Sequence, residues 1–221
     1  MKAKLFICVV LFSVAFLPSS LFAQAGQVDL YGGYFWPADN DAVGKFRGSQ
    51  MLGVQVGGYV TEAVQLSGNF AWINHFTPKN DNLAANLSGD LGFPRNNVRA
   101  WIWEPQLTYN FATNKLGANV VPYASISLGG LTTRIVDGSE SVLVPTAVNT
   151  PSGIVFLPRF TLNDGDTFLT FSYGGGVKAL SVFGPVGFFG DFRGRSIPNF
   201  FGEWTNWPEL KAGVTFSWGE R

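Results

Sequence analysis

Few residues in this chain are of the kinds that do covalent chemistry. Its one histidine, His75, is followed closely by Thr77 and Asp81. A histidine near a hydroxyl and an acid is the raw material of nucleophilic catalysis, but that chemistry needs the base oriented against the nucleophile. A His-Phe-Thr run carries no such orientation, and the expected role of His75 is that of a hydrogen-bonding residue at the end of a strand. Transition metals lack ligands, because the only cysteine, Cys8, sits in an apolar leader. PADND at Pro37 to Asp41 and NDGD at Asn163 to Asp166 offer oxygens for weak calcium binding, yet the same residues are the ordinary chemistry of turns. The expectation is a non-enzyme with no catalytic residue, no metal and no cofactor.

A second pattern has physical content of another kind. In VGFFGDFRGR, Val186 to Arg195, Asp191 and Arg193 stand among Phe188, Phe189 and Phe192. A soluble core rejects the charges and a wet surface wastes the aromatics. The composition raises the same question: aromatic residues make up 15% of the 221 and charged residues 14%, against about 25% charged in a soluble domain. Net charge is zero, so no basic surface points to nucleic acid.

The leader explains part of the apolar content. Lys2 and Lys4 precede an apolar run from Leu5 to Leu17, broken only by Ser13, and Ala23-Gln24-Ala25 closes it. This is the form of a secretory signal peptide, too short to cross a bilayer as a helix. Residues 1–25 are expected to be removed, leaving a mature domain of 26–221. Losing Lys2 and Lys4 from 15 basic residues leaves 13 against 15 acidic ones, with no thiol and no disulfide.

Beyond Ala25 the chain alternates with period two, the mark of strands with two unlike faces. In LKAGVTFSW, Leu210, Ala212, Val214, Phe216 and Trp218 oppose Lys211, Gly213, Thr215 and Ser217. In WIWEPQLTYNF, Trp101, Trp103, Leu107, Tyr109 and Phe111 oppose Ile102, Glu104, Gln106, Thr108 and Asn110. Comparable segments begin near Val28, Met51, Val64, Pro122, Phe168 and Val186, so about eight strands are predicted, each of the 9–11 residues needed to cross a membrane. Their connections alternate long and short: 37–50 and 61–63, 77–97 and 113–119, 134–167 and 181–185, then 194–209. Long loops on one side and short turns on the other are the habit of outer-membrane barrels.

One face carries Trp, Phe, Val and Leu; the other carries Gly, Ser, Thr, Gln and a few charges. A soluble sandwich or lipocalin-like barrel needs the reverse, with a polar exterior and an apolar filling. The expected fold is therefore all-β: an antiparallel up-and-down transmembrane barrel, closed because unpaired backbone in hydrocarbon costs several kcal/mol per group. Trp36, Trp72, Trp101, Tyr109 and Trp218 are expected to form aromatic girdles at the two interfaces.

In VDLYGGYFWP, FSYGGGVKAL and GVTFSW the chain resembles the small OmpA-like and OmpX-like outer-membrane barrels, over the leader and the whole mature chain. Membership implies the bacterial outer membrane, termini in the periplasm and long loops outside. It also implies contact with outer-membrane lipid and lipopolysaccharide, and help from periplasmic chaperones and the barrel-assembly machinery. Two departures are expected to matter. No wall-binding domain follows the barrel, and Gly219, Glu220 and Arg221 follow Trp218 where the family usually ends on an aromatic residue.

The polar face points inward on this reading. Its charges are Asp29, Glu104 and Asp191 against Lys178, Arg193 and Lys211, expected as two tiers of ion pairs that plug the lumen. Inward glycines, among them Gly53, Gly57, Gly174 and Gly176, could leave water-filled gaps. The expected role is structural or surface-interactive through the loops. The alternatives are a narrow gated channel or a lipid-modifying enzyme at the rim. The apolar segments SVLVP and GIVFLP in the 134–167 connection are expected to rise as a hairpin or fold over the mouth.

Overall fold

The computed structural model describes residues 25–36, 48–74, 98–111, 119–136, 141–151, 153–200 and 203–219. The leader, the Pro37–Asp41 run and the His75, Thr77 and Asp81 group lie outside these residues.

Every described element is a strand. The wall consists of β1 (Ala25–Phe35), β2 (Ser49–Tyr59), β3 (Val64–Ile73), β4 (Val98–Asn110), β5 (Val120–Ile135), β8 (Thr167–Phe183), β9 (Val186–Phe200) and β10 (Glu203–Gly219). These eight close into a barrel in the order β1-β10-β9-β8-β5-β4-β3-β2, while β6 (Ser141–Thr150) and β7 (Gly153–Asn163) form a separate two-stranded sheet. All wall neighbours are antiparallel, and pairing from Ala25↔Gly219 to Phe35↔Glu209 joins the first strand to the last. No edge strand remains in the wall to expose backbone donors and acceptors. Both ends of the wall chain thus lie at one end of the barrel, the terminus end; the other is the loop end.

One expected connection is corrected. The 194–209 segment is not a loop: β9 runs to Phe200 and β10 starts at Glu203, with Glu203 opposite Phe200. Gly194, Pro198 and Pro208 read as breakers in isolation. Here Pro208 sits opposite Gly194, and its carbonyl accepts the Trp36 amide at 2.9 Å, so the missing N–H is tolerated in the ladder. The 134–167 connection is largely the β6–β7 hairpin, whose base carries Leu162, 4% exposed, onto the apolar cluster at the loop end.

The pleat then sorts the side chains. Leu52, Phe70, Leu107, Ile126, Leu128, Leu169, Phe188, Phe192 and Leu210 are exposed on the outer face. At the loop end this band is bordered by Trp36, Trp72, Trp101 and Trp204, with Trp72 stacked on Trp101 at 5.0 Å between centroids. At the terminus end it is bordered by Tyr109, Phe111, Phe183 and Trp218. Trp204 was not anticipated, because its strand was read as a loop.

The interior differs from the expected polar filling. Its loop-end half is an apolar core of Phe35, Met51, Ile73, Ile102, Leu131, Ile135, Ile197, Phe200 and Trp207. Several of these lie beyond the expected strand boundaries, so their inward position was not visible in the alternation. Polar residues fill the half toward the termini.

Inward glycines are sites of close approach. The Tyr31 ring occupies the space a Cβ on Gly53 would need, with Cζ only 2.3 Å from it. At Gly176 a Cβ would meet the Gly190 carbonyl oxygen at 1.9 Å. Gly190, on the outer face, has nothing within 4 Å of the corresponding position. Gly176→Ala should therefore lower the unfolding free energy in detergent by about 1–3 kcal/mol through overpacking, with Gly190→Ala near neutral. Urea midpoints of the two refolded variants check this.

Candidate functional site

The polar half of the lumen is built by period-two placement, its charges coming from five of the wall strands. Asp29, Glu104, Lys178, Asp191, Arg193 and Lys211 are all buried inside the wall. Two more charges join them that sequence reading missed, Arg195 and Glu209. Both were legible in principle: Arg195 continues the step from Asp191 through Arg193, and Glu209 precedes Lys211 by two. They were lost with the 194–209 segment. Among the described residues the buried charges now balance as Asp29, Glu104, Asp191 and Glu209 against Lys178, Arg193, Arg195 and Lys211.

Arg195 is the hub of the upper tier. Its guanidinium holds Glu104 at 2.9 and 3.1 Å, pairs with Glu209, and donates to Thr170 Oγ1 at 3.1 Å. Lys211 Nζ lies 3.3 Å from Glu209 and over the Tyr31 ring at 5.2 Å. Asn69 donates to Glu104 at 2.9 Å and accepts from the Tyr31 hydroxyl at 2.7 Å. Arg193 forms a two-point pair with Asp191 and also donates to Gln106, while the Tyr123 hydroxyl donates to Asp191 at 2.7 Å. Seven strands converge here, because residues two apart on one strand and register partners on the next share a face.

The lower tier is joined through an amide. Gln27 Nε2 donates to both Asp29 oxygens at 2.6 and 2.8 Å, and its Oε1 accepts from Lys178 at 3.4 Å and from the Tyr59 hydroxyl at 3.0 Å. Lys178 also donates to Gln65 at 2.8 Å and stands 4.8 Å from the Tyr123 ring centroid. Tyr123 thus touches both tiers.

This arrangement is suited to holding charge and poorly suited to moving it. Guanidinium–carboxylate pairs fix both partners, and the Ser127 and Ser172 hydroxyls bond each other at 2.5 Å. No group of three metal-ligating side chains occurs among the described residues. The NDGD run works as a turn: Asp166 accepts from the Asn163 amide at 2.7 Å, and Asp164 takes the Ile135 amide at 2.8 Å and Arg134 at 2.5 Å.

Removing one partner of a buried pair strands the other. Arg195→Met should cost about 3–5 kcal/mol of stability, since Glu104 loses its cation. Adding Glu104→Gln should recover part of that loss, because Glu209 keeps Lys211. The readout is thermal unfolding of the two variants in the same detergent.

No protein-family model matches the chain, and no curated protein matches it in sequence. Its shape does have solved counterparts. The chain is similar to Neisserial surface protein A, with 14% identity and a TM-score of 0.54 over 87% of this chain and 97% of that one. It is also similar to the outer membrane protein OprG from Pseudomonas aeruginosa, with 9% identity and a TM-score of 0.52 over 89% and 97%. At these identities the likeness is one of fold: an eight-stranded transmembrane barrel.

Proposed function

We propose that this chain is an integral outer-membrane protein with a sealed lumen, whose role is structural or surface-interactive and is exercised at its loop end. Residues 1–25 serve as the export signal, the terminus end faces the periplasm, and the β6–β7 hairpin stands on the outer side. The reading assigns no catalysis.

One observation supports it above the others. An apolar outer band lies between two aromatic borders, around an interior in which a balanced charge network is backed by an apolar core. Lipid is the medium that rewards that outer surface, and eight strands leave an interior just wide enough for side chains to fill. The apolar core across the loop-end half adds a second obstacle to ions, independent of the salt bridges.

The test is conductance. In planar bilayers the wild-type barrel should show no steady current, and Arg193→Ala should lose heat stability without gaining a defined open state. Raised conductance with unchanged stability would mean that the pair is a gate and not a plug. A narrow channel is the second reading, favoured by the buried Ser67, Ser125 and Thr215 hydroxyls, which have no protein partner and would accept water. Deleting the hairpin, 141–163, should leave the barrel inserted while reducing adhesion of whole cells to host or abiotic surfaces. Unchanged adhesion would move the role from the hairpin to the barrel itself.

A further inference from the structure

We propose that Arg99 and Arg134 form a binding site for the phosphate of an anionic lipid headgroup, on the outer face of the wall at its loop end. The site rests on the reading that lipid surrounds the barrel, and it deepens that reading by naming where the wall selects a lipid.

The register places the two arginines together. Trp72 pairs with Trp101, Trp101 with Thr132, and Thr132 with Thr167, forming one row across β3, β4, β5 and β8. One outward step toward the loop end, Arg99 on β4 is the direct partner of Arg134 on β5. Two residues along a strand advance it by about 7 Å, which carries a side chain from the tryptophan row to the depth of the headgroups.

Like charges directly opposite across a strand pair are destabilising, so this pair needs a reason. Asp164 accounts for part of Arg134, at 2.5 Å, though the Arg134 side chain remains 63% exposed. Arg99 has its guanidinium over the Trp72 ring at 5.2 Å and takes no carboxylate among the described residues. Two guanidinium groups against one carboxylate leave one positive charge over. The cation–π contact with Trp72 leaves the Arg99 N–H groups to donate, and a guanidinium fork matches phosphate oxygens two at a time. Below the arginines, Thr132 Oγ1 lies 2.9 Å from Thr167 Oγ1 and accepts from Trp103 Nε1 at 3.2 Å, so the floor of the site is a bonded hydroxyl–indole row. A free anion gains only the arginines here. A lipid gains the arginines and, through its chains, the apolar wall that continues below them at Leu128 and Leu169.

Native mass spectrometry of the detergent-solubilised protein tests the site, with phosphatidylglycerol, phosphatidylcholine and inorganic phosphate as probes. The wild type should retain phosphatidylglycerol over phosphatidylcholine by about tenfold, because both offer the phosphate but choline adds a cation that the two guanidinium groups repel. Inorganic phosphate at equal concentration should not displace the lipid. R99Q/R134Q should abolish the preference, and R99K/R134K, which keeps charge and folding but not the fork, should keep only part of it. Equal retention of the two lipids by the wild type, an unchanged preference in either double variant, or displacement by inorganic phosphate would each overturn the proposal. A processed chain that stays clear and monomeric without detergent would instead remove the lipid reading beneath it, so the two failures are distinguishable.

Discussion

Closure of the backbone ladder is the constraint on which the rest of the structure depends. In hydrocarbon each unpaired N–H or C=O costs several kcal/mol, and only a ring of strands leaves none in the wall. Here the ring is completed by β1 on β10, eleven consecutive residue pairs from Ala25↔Gly219 to Phe35↔Glu209. Once that pairing is set, the pleat determines every other assignment. A slip of one residue would turn Lys211 and Asp191 toward lipid and Leu210 and Phe192 toward the lumen.

The interior answers two demands with two materials. Charges facing inward from different strands must be mutually satisfied, because a buried unpaired charge is very costly. Arg195 does this across three strands, reaching Glu104 on β4, Thr170 on β8 and Glu209 on β10. Above that tier the lumen is filled as a soluble core is filled, with the Phe35 and Phe200 rings both against Trp207. The polar tiers favour one register, and the apolar layer fills the lumen on their loop side. The foot of the β6–β7 hairpin belongs to that layer through Leu162 and to the rim through Asp164, so the hairpin is tied to the wall at its base.

The outer wall is less uniform than an apolar band suggests. Its loop-end border combines the Trp72–Trp101 stack, the Thr132–Thr167 contact and the paired arginines above them, while the terminus-end border is made of Tyr109, Phe111, Phe183 and Trp218. The two borders therefore meet the two lipid leaflets with different chemistry.

Much of this was legible before any coordinates. Period-two alternation alone determined the fold class, the eight wall strands and the side on which Asp29, Glu104, Lys178, Asp191, Arg193 and Lys211 lie, because successive side chains on a strand point to opposite faces whatever their neighbours. Strand ends were not legible. Gly194, Pro198 and Pro208 signal a break locally, and only pairing with β8, β9 and β1 outweighs that signal, so Arg195, Glu209, Trp204 and Trp207 were hidden inside an apparent loop. Which inward charges meet, and that Gln27 stands between Asp29 and Lys178, was decided by the tertiary structure. Those contacts join residues up to 151 positions apart, through a shear and curvature of the closed sheet that no single strand encodes.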